Sequence, residues 1–127
     1  DAGRSYPWQL SGGMQQRVAI ARSLAYRPDL LLMDEPFASV DAQTRFELED
    51  LILRVRQEFG VTVVFVTHDI DEAVYLADRV IAISKSPGVV TETVDITLTR
   101  PRDQITTKAS PAFARHREQL LGLVMNR

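Results

Sequence analysis

The tripeptide Ser11-Gly12-Gly13 has residue types that suit the binding of an anion. It directly precedes a helix-forming run, where the first backbone N–H groups and the positive end of the helix dipole favour negative charge. Glycine has no side chain to hold an anion such as phosphate away, and the Ser11 hydroxyl can cap the helix and reach a phosphate oxygen. An ordinary N-cap with a flexible turn is the competing interpretation, because such tripeptides are common in loops.

Two adjacent carboxylates, Asp34 and Glu35, follow a short apolar run at residues 30–33. The run is too short for a helix and has no polar face, so it predicts a strand that is buried on both faces in a parallel sheet. Ligands of open α/β sheets bind at the carboxyl ends of such strands. A structural alternative, in which Asp34 caps the next turn and Glu35 is solvated, explains the dipeptide alone equally well.

Asp41 and His68 are further candidates for a functional site. Asp41 precedes a predicted helix at residues 42–59, and a helix cap is its structural interpretation. His68 follows the β-branched apolar run 62–67, which predicts a second buried strand. A single histidine is usually structural or at the surface, but this one lies at the carboxyl end of a strand, as do the paired carboxylates.

The remaining pattern indicates alternating helices and strands. The apolar stripe of Met14, Val18 and Ala21 predicts a first helix, which ends before Pro28. The other predicted elements are a short helix opened by the capping box of Asp69 and Glu72, strands at 79–84 and 89–96 that could form a hairpin, and a final helix at 111–126.

The composition is that of a soluble globular protein. The 127 residues suffice for one domain or part of one, with 45% hydrophobic and 25% charged residues and a net charge of -2, so nothing indicates nucleic-acid binding. The absence of cysteine excludes disulfides and thiolate metal sites and suits a reducing compartment. No apolar run approaches the roughly 18 residues of a membrane span. Because the sequence begins at Asp1 without a methionine, we expect it to be a piece of a longer protein.

The order of these motifs resembles the carboxyl-terminal part of the nucleotide-binding domain of ABC-type ATPases, over about residues 6–84. The family signature with its usual lead-in is similar to Tyr6-Pro7-Trp8-Gln9-Leu10-Ser11-Gly12-Gly13. The Walker B strand is similar to residues 31–36, the D-loop to residues 38–41, and the switch histidine to His68. Four motifs in the expected order and spacing leave little room for chance.

The resemblance implies a role for each matching residue. Glu35 resembles the general base that orients water for attack on the γ-phosphate, and Asp34 resembles the carboxylate that holds Mg²⁺. His68 resembles the residue that contacts the γ-phosphate, and Asp41 resembles the D-loop aspartate that crosses the dimer interface. The residues that resemble the signature groups closing over ATP of the opposite subunit are Ser11, Gly12, Gly13 and Gln15. These roles suit phosphoryl transfer, in which catalysis is mostly positioning and charge neutralisation.

The sequence departs from the family pattern in two ways. Met14 stands where family members most often have glutamine. No Gly-x-x-x-x-Gly-Lys-Ser/Thr loop occurs, and neither an adenine-stacking aromatic residue nor a Q-loop glutamine is recognisable. The resemblance therefore implies a partial P-loop NTPase (RecA-like) α/β core, with parallel strands flanked by helices, that lacks the Walker A strand and loop. We expect the 127-residue chain alone to be inactive.

The resemblance also implies a division of residues 1–127 within one ABC ATPase domain. Residues 1–26 correspond to the end of the helical subdomain with the signature helix, 27–96 to core strands and helices, and 97–127 to a carboxyl-terminal loop and helix. In the family, the phosphate-loop strand lies between the strand ending at Thr67 and the strand starting near Arg79. Without it two strand edges are unpaired, so we expect direct pairing across the gap or self-association there.

The implied function is that of an ATP-binding and ATP-hydrolysing subunit of a membrane importer at the cytoplasmic face of the membrane. Residues 6–24 and 99–103 look similar to the nitrate, sulfonate and taurine importer group. ATP and Mg²⁺ are the implied cofactors. The implied partners are a second ATPase subunit in a homodimer, membrane permease subunits and, indirectly, a solute-binding protein, but no nucleic acid. An ABC-type ATPase outside transport and a noncatalytic interaction fragment are the alternatives.

Overall fold

A computed structural model describes residues 12–85 and 88–125. The chain divides into two compact units, Asp1–Val66 and Thr67–Arg127. The elements in chain order are α1 Gly12–Ala25, β1 Leu30–Asp34, α2 Ala42–Phe59, β2 Thr62–Val66, α3 Ile70–Leu76, β3 Arg79–Ile83, β4 Val90–Asp95 and α4 Pro111–Met125. The helices and strands confirm the predicted α/β class. No helix in the described ranges is long and apolar enough to cross a membrane.

The first unit contains a two-stranded parallel sheet of β1 and β2. Its register places Asp34 opposite Val66, so the carboxyl ends of the two strands lie side by side. This confirms the parallel pairing predicted from the apolar runs. The prediction of burial on both faces is wrong for the described residues, since Leu32 is 68% exposed and Val64 is 45% exposed. Side chains alternate across a strand, and only the face that carries Leu31 meets the core of this unit.

The long helix α2 forms much of the apolar core of the first unit. Its most deeply buried apolar residues are Leu48, Ile52 and Val55. Asp41 caps the amino end, and Gly60 ends the helix in the left-handed conformation with φ of 63°, which glycine adopts without a steric penalty. The predicted bounds of this helix, residues 42–59, are therefore confirmed. Phe59, in contrast, is 62% exposed because it lies in the last turn.

Helix α1 lies against α2 in the first unit, but not through the predicted apolar stripe. The buried residues of α1 are Gly13 and Ile20, and Arg17 forms a 2.9 Å ion pair with Glu47 of α2. The predicted apolar stripe faces away from α2, and its residue Val18 is 37% exposed. The predicted buried face of α1 is wrong because the prediction considered only apolar side chains. The contact with α2 instead includes Gly13, since a glycine lets two helices approach closely.

The second unit combines a hairpin of β3 and β4 with two helices. The strands pair antiparallel, which confirms the predicted hairpin. Helix α4 lies against α3 and β3, with Phe113 and Leu120 buried. Arg117 of α4 donates two hydrogen bonds, of 2.7 and 3.2 Å, to the carboxylate of Asp71 on α3. These hydrogen bonds raise the pKa of Arg117.

The β1–β2 pair and the β3–β4 pair are separate sheets. Direct pairing across the gap between β2 and β3 was one of two expectations, and in the part of the chain that the structure describes it is wrong. In the described ranges β2 pairs with β1 and β3 pairs with β4, and no register joins β2 to β3. Self-association through the remaining edges stays a prediction.

Candidate active site

Asp34 and Glu35 lie at the carboxyl end of β1, and both are exposed. The Glu35 N–H donates 2.7 Å to the carbonyl oxygen of Val66, which extends the contact between the two strands. The backbone of Glu35 has φ of 46°, a left-handed conformation that costs a residue with a Cβ about 1–2 kcal/mol. Strain of this kind concentrates at functional sites. Arg27 also has a positive φ, of 50°, but it precedes β1. Of these two residues, Glu35 alone combines a left-handed backbone with the carboxyl end of a strand, which makes it the functional candidate.

A buried aromatic ring anchors the loop that follows. The side chain of Phe37 is 1% exposed, and its centroid lies 5.4 Å from that of Phe65 on β2. Around this ring the backbone makes two turns, with the Ala38 N–H donating to the Glu35 carbonyl and the Val40 N–H donating to the Phe37 carbonyl. The loop is thus held to the sheet by an apolar contact as well as by its backbone.

Asp41 ends this loop as the N-cap of α2. Its Oδ1 accepts a 2.8 Å hydrogen bond from the Thr44 N–H, and the Thr44 hydroxyl donates to the same carboxylate. These bonds, the backbone one foremost, hold the pKa of the Asp41 carboxyl below its ordinary value. The structural interpretation of Asp41 as a helix cap is therefore confirmed. Because the side chain stays exposed, the cap is compatible with the interface role that the resemblance implies.

Gly12 and Gly13 open α1 directly beside the same loop. A Cβ on Gly12 would lie 3.2 Å from Cγ1 of Val40, and a Cβ on Gly13 would overlap Cγ2 of Thr44. Gly13 thus has a packing reason that is independent of any anion, and sequence reasoning missed it, whereas at Gly12 the Val40 side chain would have to shift by only a few tenths of an ångström. No pattern in the sequence indicates which residue a glycine approaches, since that residue is about 30 positions away.

The remaining predicted site residues are placed as follows. Ser11 lies outside the described residues, so its capping and phosphate contact stay predictions. Gln15 is exposed on α1. His68 is exposed in the second unit, two residues after β2. Beside it, Asp69 caps α3 by accepting a 3.0 Å hydrogen bond from the Glu72 N–H, which confirms the predicted cap.

The first unit thus assembles two groups of predicted residues. Gly13 and Asp41 meet at Thr44, while Asp34 and Glu35 stand together at the end of β1. Mg²⁺ is held in phosphate sites by one or two carboxylates together with waters and substrate oxygens, and an exposed Asp34 fits that donor set. Among the described residues, no three acidic or histidine side chains group closely enough to hold a metal by themselves.

Comparison with known proteins gives consistent matches to one family. The profile of the family described as "ABC transporter" matches residues 2–38. The aliphatic sulfonates import ATP-binding protein SsuB 1 of Xanthomonas axonopodis pv. citri is 52% identical over 115 residues, which are 91% of this chain and 46% of that protein. The nitrate transport protein NasD of Klebsiella oxytoca is 44% identical over 116 residues, which are 91% of this chain and 44% of that protein.

A solved structure agrees with these sequence matches. The dimeric structure of MJ0796, a bacterial ABC transporter cassette, matches with a TM-score of 0.60 and 42% identity, over 71% of this chain and 38% of that one. The chain spans less than half the length of each of these proteins. The likeness confirms that the α/β fold is part of an ATPase cassette. The chain belongs to the ABC transporter ATP-binding family and is similar to members named for sulfonate and nitrate import.

Proposed function

We propose that the protein containing this chain is the ATP-binding and ATP-hydrolysing subunit of an ABC importer, with Glu35 as the general base. The observation that carries this proposal is the position of Glu35. It is exposed at the carboxyl end of a parallel strand, directly after Asp34, and it has a left-handed backbone. The names of the relatives support nitrate or an aliphatic sulfonate as the cargo, and taurine, itself a sulfonate, stays within this proposal.

Each site residue has a separate task in this proposal. The Glu35 carboxylate orients a water molecule and accepts its proton during attack on the γ-phosphate. Asp34 would hold the Mg²⁺ of ATP, which supplies positive charge to the phosphate oxygens. His68 would donate a hydrogen bond to the terminal phosphate. The amino end of α1 would present backbone N–H groups and the helix dipole to the nucleotide of the opposite subunit.

The proposed partners follow from the same function. A second copy of the subunit is supported by the dimeric cassette that the chain resembles, and permease subunits are supported by the import names of the relatives. A solute-binding protein would take part indirectly, and no nucleic acid is involved. We place the protein peripherally at the cytoplasmic face of the membrane. The division into residues 1–26, 27–96 and 97–127 belongs to this proposal.

The test is the substitution Glu35→Gln in the complete ATP-binding subunit. Glutamine keeps the size of the side chain but accepts no proton, so we expect kcat for ATP hydrolysis to fall about 100-fold or more. ATP binding, measured by fluorescence titration, should persist. The matched control is Glu58→Gln on the exposed side of α2, which should leave turnover unchanged. Turnover by Glu35→Gln at the parent rate would contradict the proposal.

The 127-residue chain by itself offers a second test. It has no phosphate loop, so we propose that it neither binds ATP tightly nor hydrolyses it. Isothermal titration calorimetry measures this directly, and micromolar ATP binding by the chain alone would contradict the proposed need for a phosphate loop. Co-purification of the complete subunit with a membrane permease would separate an importer from an ABC-type ATPase outside transport.

A further inference from the structure

Thr44 lies between two segments of the candidate site in the first unit. On one side, its N–H donates 2.8 Å to Oδ1 of Asp41, and its hydroxyl donates to the same carboxylate. On the other side, its methyl carbon Cγ2 occupies the space that a Cβ on Gly13 would need. Thr44 is half-buried. A single side chain thus contacts the loop that ends at Asp41 and the amino end of α1.

We propose that Thr44 is a positioning residue for ATP hydrolysis, which sets the spacing between the amino end of α1 and Asp41. The inference rests on the proposed function, in which both segments act at the nucleotide between two subunits. Under that function the two segments must reach the nucleotide in a fixed relative position. A misplacement of about 1 Å in such a group can lower a rate about 100-fold.

The branched side chain of threonine explains how one residue can do this. Its hydroxyl and methyl groups share one Cβ, and β-branched residues are stiff at χ1. With the hydroxyl held by Asp41, the methyl group cannot rotate away from Gly13. Serine would keep the hydrogen bond without the methyl group, and valine would keep a methyl group without the hydrogen bond.

The amino end of α1 also faces the loop where Gly12 approaches Val40, but an added Cβ there would lie 3.2 Å from Cγ1 rather than overlap it. A contact between α1 and α2 is weaker. The Arg17–Glu47 ion pair joins α1 to α2, but its side chains are 45% and 52% exposed, and an ion pair of that kind contributes little and is screened by salt. The contact between Gly13 and Thr44 is close and involves a buried residue. We therefore assign the spacing to Thr44 rather than to the ion pair.

The first experiment compares Thr44→Ser and Thr44→Val in the complete subunit, with Gln43→Ala as the control at the exposed neighbouring position. Both Thr44 variants should lower kcat about tenfold, while KM for ATP changes less than about twofold, because positioning acts after nucleotide binding. Gln43→Ala should have the kcat and KM of the parent. Parent-like kcat in both Thr44 variants would overturn the inference.

The second experiment tests the contact itself through compensation. Gly13→Ala should lower Tm, because its Cβ would overlap the Thr44 methyl group. Adding Thr44→Ser removes that group and leaves the Thr44 Cβ 3.8 Å from the new carbon, an ordinary contact, so the double variant should regain most of the lost Tm. A double variant that melts no higher than Gly13→Ala would overturn the inference.

The two proposals fail in different ways. If Glu35→Gln leaves turnover unchanged in the complete subunit, the proposed function fails, and the role of Thr44 in hydrolysis fails with it. If turnover depends on Glu35 but not on Thr44, only the positioning role is overturned.

Discussion

The Glu35 N–H donates 2.7 Å to the Val66 carbonyl oxygen, beyond the last residue pair of the β1–β2 register. The backbone of the proposed general base is therefore fixed by the neighbouring strand. At the same position φ is 46°, so the chain leaves the strand at this residue. The conformation of Glu35 can thus be tested separately from the chemistry of its carboxylate.

Glycine in place of Glu35 should abolish ATP turnover without destabilising the protein. It relieves about 1–2 kcal/mol of left-handed strain, while the greater freedom of the unfolded chain offsets about 0.5–1 kcal/mol of that gain. Urea unfolding should therefore show a stability equal to the parent or up to about 1.5 kcal/mol higher. Glu35→Gln keeps the backbone strain, so its stability against urea should match that of the parent. A glycine variant clearly less stable than Glu35→Gln would show that the conformation is not strained.

The ring of Phe37 should be the main anchor of the loop between Glu35 and Asp41. It is 1% exposed and packs against Phe65, so Phe37→Ala is expected to cost about 3–5 kcal/mol in urea unfolding followed by circular dichroism. The exposed Phe59 provides the control, and its alanine variant should stay within about 0.5 kcal/mol of the parent. Equal effects of the two substitutions would contradict the anchoring role.

Local signals explain what could be predicted from the sequence. The bounds of α2 depend on a cap at Asp41, a stripe of apolar residues and a stop at Gly60, all of which lie within the helix or beside it. The parallel pairing follows from two short apolar runs, and Asp34 with Glu35 could be found because they follow one of them. Motif order added the family, which no single motif carried.

Tertiary contacts explain what could not be predicted. The approach of Gly13 to Thr44 joins residues far apart in sequence, and a glycine has no side chain to indicate its neighbour. An apolar run shows that a strand is suited to burial, but not which of its faces this stretch of chain covers, so the exposure of Leu32 was missed. The positive φ of Glu35 also has no signal in the identity of the residue.

The buried guanidinium of Arg102 should stabilise the carboxyl end of α3. Its Nη1 donates to the carbonyl oxygens of Tyr75 at 2.9 Å and Ala77 at 2.7 Å, where positive charge also favours the helix dipole. Arg102→Ala removes both bonds, and we expect a loss of about 2–3 kcal/mol in urea unfolding. The exposed Arg115 on α4 is the control, and its alanine variant should be near neutral. A neutral Arg102→Ala would contradict this stabilising role.

The carboxyl group of Asp103 should make stability depend on pH. It accepts hydrogen bonds from the Thr106 N–H at 2.8 Å, the Ile105 N–H at 2.9 Å and the Thr106 hydroxyl, and these bonds lower its pKa from the ordinary value of 3.8. A carboxyl group with a lowered pKa contributes stability that is complete well above its unfolded pKa and is lost as pH falls through the folded pKa. Asp103→Ala should therefore be less stable than the parent at neutral pH.

The difference in unfolding free energy between the parent and Asp103→Ala should narrow as the pH falls below 3.8. In that range the unfolded state already holds a proton that the folded state has still to bind. Urea unfolding at a series of pH values from neutral to acidic measures this difference. Asp103→Asn is the matched control, since an amide oxygen still accepts hydrogen bonds but does not titrate. The difference in stability between Asp103→Asn and Asp103→Ala should stay constant across the same pH range. If the difference between the parent and Asp103→Ala were equally constant, the hydrogen bonds to Asp103 would not favour its ionised form.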